Sequence, residues 1–292
     1  MSLTAELVLD VKATLGEGPH WDHQKQQLYW VDILENKVHV YHPNKNQQQT
    51  LEFSEPIGAV IPKGDHQLML AMKNGIHEYD LETETLRKIV DPEESLPDNR
   101  FNDAKCDPSG RLWAGTMDMD GKLGRGTLYR LDHDEKITPM ITNVSISNGL
   151  AWSPDNKYFY YIDTPTKEVK VYHYQDDTGN ISEMIKTIAI PEELGNPDGM
   201  TIDSKGMLWI AHWGGAKVTR WDPYEEQLLE IVEVPAKNVT SCTFGGENLT
   251  DLYITTASVG ISDEDRKKYP FSGGLFKVKT NVSGMVANTY QK

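Results

Sequence analysis

Three short phrases place an oxygen-bearing side chain directly before glycine: Glu17-Gly18-Pro19, Asn148-Gly149 and Asp198-Gly199. A fourth, Arg100-Phe101-Asn102-Asp103, sets a guanidinium, a carboxamide and a carboxylate side by side. Glu17, Asn102, Asn148 and Asp198 together offer only oxygen donors, the set that hard divalent cations prefer. Calcium is the first expectation, magnesium or manganese the next, and zinc is the least natural without His or Cys. So few protein ligands leave coordination positions for water and substrate, which marks a catalytic ion rather than a structural one. Glycine beside a donor removes bulk and permits unusual backbone angles where chains crowd together. Asn-Gly and Asp-Gly are also ordinary hairpin turns, so these pairs carry weight only if one framework gathers them.

That framework is a repeat. Long helical periodicity is scarce, whereas short β-branched and aromatic runs bounded by Asn, Asp, Gly and Pro recur throughout. One phrase returns in six versions: a turn with Asp and Gly or Asn, an apolar-aromatic strand, then another strand. Leu28, Leu68, Leu112, Phe159, Leu208 and Leu252 hold equivalent places in it, about 40 to 49 residues apart, the period of four-stranded propeller blades. The chain is therefore expected to be all-β, a single six-bladed β-propeller over residues 1–292 with one divalent metal in its central channel. In such a disc the first strand of each blade is innermost, and its starting residues converge on the axis. Counting back from each marker gives Glu17, Ile57, Asn102, Asn148, Asp198 and Ser241 as the axial set. Buried carboxylates gathered there without a cation would repel and raise at least one pKa, and a metal resolves that conflict. The last blade is expected to close with a strand from each end, AELVLDV beside GGLFKVK.

Composition excludes several classes of function. The 292 residues carry 29 basic against 44 acidic side chains, a formal net charge of −15, which argues against nucleic-acid or anionic-membrane partners. The N-terminal segment lacks a basic region followed by a long apolar run, no stretch is long and apolar enough for a spanning helix, and two cysteines make no disulfide framework. These features predict a cytoplasmic protein acting on a small molecule, and the closed propeller, which leaves only short protected edges, is expected to be a monomer. No G-x-S-x-G elbow, H-E-x-x-H, P-loop or G-x-G-x-x-G after a strand is present. His20 and His23 lie three apart on an expected strand and point to opposite faces, so they do not jointly grip an ion. His212 falls at the end of a second strand near the channel mouth, either as a contact to the site or as a core hydrogen-bonding histidine. The tryptophans are read as packing between blades.

The same segments resemble the gluconolactonase, regucalcin (senescence marker protein) and luciferin-regenerating enzyme family. The matching phrases are LGEGPHWD with LYWVDI, RFNDAKCDPSGRLWAGTMD, SNGLAWSPD and NPDGMTIDSKGMLWIA, in this order from the first blade to the fifth. The resemblance implies hydrolysis of sugar lactones by a six-bladed propeller with one divalent metal. Carried over by motif, Glu17, Asn148 and Asp198 would be metal ligands and Asp198 the general base. Arg100 and Asn102 would contact substrate, with Asn102 also close to the metal. The family often places an acidic residue after AGTM to reach a substrate hydroxyl; here the segment reads Asp118-Met119-Asp120-Gly121, and spacing selects Asp120. Two other functions fit the same site: hydrolysis of organophosphates or other esters, and calcium binding without turnover.

Overall fold

The computed structural model describes residues 3–291. Six sheets, antiparallel apart from one two-residue edge strand, account for nearly all of its secondary structure, together with one short helix, Asp263–Lys268, and three 3-10 turns. The inner strands of blades 1 to 6 are Gly16–Asp22, Ile57–Lys63, Asn99–Cys106, Ser147–Trp152, Asn196–Ile202 and Asn238–Gly245. The expected propeller is therefore present. The six marker residues sit at the starts of the second strands and are each 0 or 1% exposed.

In blades 1, 3, 4 and 5 the hairpin between first and second strands is set by a short polar side chain, Asp22, Asp107, Ser153 and Asp203 respectively. Asp107 Oδ1 accepts from the Ser109 and Arg111 amides, and Asp203 Oδ1 from those of Lys205 and Met207. Gly110 and Gly206 complete these turns with φ of 81° and 80°, which glycine adopts without penalty. The second oxygens of the same aspartates receive Trp113 and Trp209 Nε1–H at 3.0 Å. The turn thereby anchors the large aromatic that follows it.

The apolar clusters lie between blades rather than within them. Trp113 and Leu128 of blade 3 pack with Leu150, Trp152 and Phe159 of blade 4, and Trp209 of blade 5 meets Phe244 of blade 6 edge-on, 5.6 Å between centroids. Each sheet thus buries both faces, which explains the near-continuous apolar runs in the inner strands.

Ring closure uses both ends of the chain. Glu6–Leu9 pairs antiparallel with Leu275–Lys279 as the outer strand of blade 6, as expected. The Leu3–Thr4 pair adds in parallel to Gln227–Glu233 on blade 5, which was not foreseen. The last segment is a strap across the face where the hairpins lie. Gly284 bridges to Asp203, Asn288 Nδ2 donates to Cys106 O, and Tyr290, 2% exposed, donates its hydroxyl to Asp132 O at 2.8 Å.

All six inner strands break register at the same place. The shifts fall between Glu17 and His20, Ile57 and Ala59, Phe101 and Asp103, Asn148 and Leu150, Pro197 and Met200, and Val239 and Ser241. A bulge bends a strand and re-aims its side chains. Here it recurs at the axial positions, and glycine lets neighbouring bulges touch. A Cβ on Gly149 would lie 2.8 Å from Asp198 O, and one on Gly58 2.4 Å from Phe101 O. Only Gly18 of the three donor-adjacent glycines has positive φ, 53°; Gly149 and Gly199 are there for closeness alone.

Candidate active site

The bulges bring Glu17, Asn102, Asn148 and Asp198 to the floor of one cavity of ≈ 300 Å³ at the face opposite the hairpins. Arg100 and Asn196, each two residues before a floor residue and therefore on the same side of its strand, stand above them with Leu15 and Ile146. Met117 and Trp213 from second-strand ends, and Thr164, complete the wall. Leu15 and Ile146 are held by one device used twice. The Asp32 carboxylate accepts from the Thr14 and Leu15 amides, and that of Asp163 from the Ser145 and Ile146 amides.

The floor is buried: Glu17 is 6% exposed, Asn102 6%, Asn148 4% and Asp198 4%. Glu17 Oε2 accepts from the Gly18 amide at 3.1 Å, whereas Asp198 Oδ1 is buried with no hydrogen-bond partner. Burial, reinforced by the Asp103 carboxylate, pushes the Glu17 carboxyl up to about 8 despite the Gly18 amide and Arg100. Burial and then Glu17 raise Asp198 well above the ordinary carboxylate range. A guanidinium stands by: Arg100, 7% exposed, is lowered to about 10 by burial against the pull of Glu17 and Asp198. Its Nη1 donates to Phe101 O at 2.9 Å and Asn102 Oδ1 at 2.7 Å. Arg100 is thus turned into the cavity, away from the surface pairing with Asp98 that its sequence neighbours also allow.

These residues fit a hard cation. An orphaned carboxylate oxygen, a second buried carboxylate and carboxamide oxygens are what a divalent ion satisfies and what an apolar core does not tolerate. Among the described residues no three His, Cys, Asp or Glu side chains cluster to hold a metal. A cation held in this cavity would therefore need a carboxamide oxygen among its donors, as Asn148 could supply.

Asp120 does not join this group. It lies past the end of the Leu112–Asp118 strand on a loop at the same face, its side chain 74% exposed and paired with Lys122 at 3.2 Å. His212 is fully buried, bonded through Nε2 to Thr219 Oγ1 at 2.6 Å and lowered to about 3 chiefly by burial. It is a core histidine, not part of the cavity wall. His23 lies beyond the strand that carries His20, and His20 lines a separate cavity under the strap with Lys105 and Asn288. Leu15, Ile146 and Asn196 were findable from strand alternation, two residues before an axial position. Thr164, Met117 and Trp213 had no such signal, because their places depend on how second strands end.

Residues 15–258 match the model of the SMP-30/Gluconolactonase/LRE-like region. The chain is 41% identical over 282 residues to the Bacillus subtilis protein named "Putative sugar lactone lactonase YvrE", covering 97% of each. Among solved structures, a luciferin-regenerating enzyme superimposes with a TM-score of 0.93 at 34% identity over 99% of both chains. A calcium-binding regucalcin from Agrobacterium tumefaciens gives 0.93 at 27% identity over 100% of both.

Proposed function

The chain belongs to the SMP-30/gluconolactonase/LRE-like family, and from that premise we propose that it is a divalent-metal-dependent hydrolase that opens small sugar lactones. The observation that carries this reading is the partnerless Asp198 Oδ1 beside buried Glu17 and Asn148 in an open-mouthed cavity. Glu17, Asn148 and Asp198 would hold the ion, with calcium favoured by the all-oxygen set and by the calcium-binding relative. When bound, the cation supplies Lewis-acid polarisation of the lactone carbonyl and a counter-charge for the oxyanion that develops there.

The remaining work falls to the chain's own groups. Asp198 accepts a proton from the attacking water, whose oxygen bonds to the carbonyl carbon. The bond from that carbon to the ring oxygen then breaks, and the ring oxygen takes up the proton that Asp198 accepted, leaving a hydroxy acid and the regenerated carboxylate. Calcium acidifies water far less than zinc does, so the carboxylate base matters more. Arg100 and Asn102 orient the ring: Arg100 keeps Nη2 and Nε free of the two bonds that fix Nη1, as donors for substrate oxygens. Asp120, at the rim, would reach a substrate only from outside the cavity and is the weakest member of the proposed set.

Calcium binding without turnover is a second reading, favoured by the name of that same relative. The test is proton release from gluconolactone, pentonolactones and an aryl phosphate ester by chelator-stripped protein resupplied separately with calcium, magnesium, manganese or zinc. Metal-restored opening of a sugar lactone above the ester supports the main reading. Metal uptake with no turnover favours the second, and no uptake overturns both.

A further inference from the structure

One line of hydrogen bonds crosses blades 3, 4 and 5 at the floor of the cavity. Arg100 Nη1 donates to Asn102 Oδ1 at 2.7 Å. Asn102 Nδ2 donates to Ser147 O at 2.8 Å and Asn148 Oδ1 at 3.0 Å. Asn148 Nδ2 donates to Thr164 Oγ1 at 2.8 Å, and Thr164 Oγ1 donates to Pro197 O at 2.8 Å. The two ends cannot exchange roles, since a guanidinium has no acceptor and a carbonyl no donor. The single Thr164 hydroxyl proton is committed to Pro197 O, so this hydroxyl meets Asn148 only as an acceptor. Asn148 must then turn its NH2 to Thr164 and its oxygen to the other side, where the Asn102 NH2, also claimed by Ser147 O, meets it. Each carboxamide has one orientation that satisfies all its neighbours.

A carboxamide serves a cation through its oxygen and repels it through its NH2. We propose that Thr164 is a positioning residue: its hydroxyl, tied to Pro197 O, fixes the Asn148 carboxamide with the oxygen presented to the cation and thereby makes Asn148 a ligand. This rests on Glu17, Asn148 and Asp198 being the cation site. Thr164 stands at the start of the 3-10 turn Thr164–Thr166, so its position comes from the end of a second strand, outside the motif that supplies Asn148. Its bond to Pro197 O also braces the residue immediately before Asp198, coupling two ligands on different blades through one hydroxyl. Thr164→Val keeps the shape and removes the hydroxyl, leaving the Asn148 amide free to turn over. Thr164→Ser keeps the hydroxyl and removes the methyl.

Calorimetric titration of calcium into chelator-stripped protein separates the outcomes. The expected result is a loss of roughly 10- to 100-fold in calcium affinity for Thr164→Val, the usual range for removing a group that orients a ligand, with Thr164→Ser within about threefold of wild type. Thr166→Val is the control: it removes the neighbouring hydroxyl of the same turn, which bonds Asp163 O at 2.7 Å outside the chain of bonds to Asn148, and is expected to leave affinity unchanged. Near-UV circular dichroism of the metal-free proteins checks that each variant is folded. Thr164→Val binding calcium as tightly as wild type overturns the proposal, as does an equal loss in Thr164→Ser or Thr166→Val. Wild-type protein that takes up none of calcium, magnesium, manganese or zinc sinks the cation site itself and the role of Thr164 with it, a failure distinct from the previous ones.

Discussion

Gly199 and Ser241 meet across the seam between blades 5 and 6 so closely that a Cβ on Gly199 would fall 2.1 Å from Ser241 Oγ and 2.4 Å from its Cβ. Gly199 follows Asp198, so the contact sets how far the Asp198 carboxylate reaches toward the axis. Gly199→Ala is expected to destabilise the protein by about 1–3 kcal/mol, the usual range for overpacking, and to weaken metal binding. Adding Ser241→Gly removes the two shortest contacts and should recover part of both losses. Thermal unfolding and calcium titration of the single and double variants check this; a double variant no better than Gly199→Ala would show that the seam is not the cause.

Asp198→Asn keeps an oxygen for the proposed ion and loses the proposed base. Turnover is expected to fall by about 10²- to 10⁴-fold, the range for general-base removal, while calcium binding persists. Near-normal lactone turnover in this variant would end the general-base assignment.

Glu17 links the site to pH. Burial raises its carboxyl from 4.5 to about 8, so folding takes up a proton there between those values. Its favourable contribution is full below 4.5 and is lost as pH rises through 8. In chelator at pH 9, Glu17→Gln is therefore expected to melt above wild type, and the difference should vanish near pH 5. With calcium at neutral pH the order should reverse, because the variant lacks the carboxylate charge proposed to hold the ion. Melting curves in the three conditions give the sign of each difference.

Arg100→Lys replaces a planar fork by a single ammonium, which cannot hold Phe101 O and Asn102 Oδ1 and still offer a directed pair of donors. KM for a sugar lactone is expected to rise about tenfold with a smaller change in kcat, the pattern of lost uniform binding. A fall in kcat with KM unchanged would instead place Arg100 in transition-state stabilisation.

Much of this molecule was legible in its sequence, for identifiable reasons. Period-two strands and a turn with Asp and Gly or Asn recurred six times, so counting from Leu28, Leu112, Phe159 and Leu208 located Glu17, Asn102, Asn148 and Asp198. The glycines beside three of them betrayed the crowding of bulged strands. What escaped depends on long-range geometry. Thr164 and Trp213 reach the cavity through the ends of second strands. Asp120 followed from family spacing, yet local charge holds it to Lys122. The strap from Gly284 to Tyr290 carries no periodic pattern, because its bonds go to turns and loops of distant blades rather than to a strand ladder.

Closure of blade 6 by Glu6–Leu9 against Leu275–Lys279 has a consequence for biosynthesis. Glu6 of that outer strand and its register partner Lys277 leave the ribosome 277 − 6 = 271 residues apart. At 5–20 residues per second that interval lasts about 14 to 54 s, and through it the nascent chain is an open arc in which Glu6–Leu9 has no mate. Glu17 in blade 1 and Asp198 in blade 5 lie on opposite sides of the unclosed seam. The cavity can therefore form only once Leu275–Lys279 has been made and has sealed the ring.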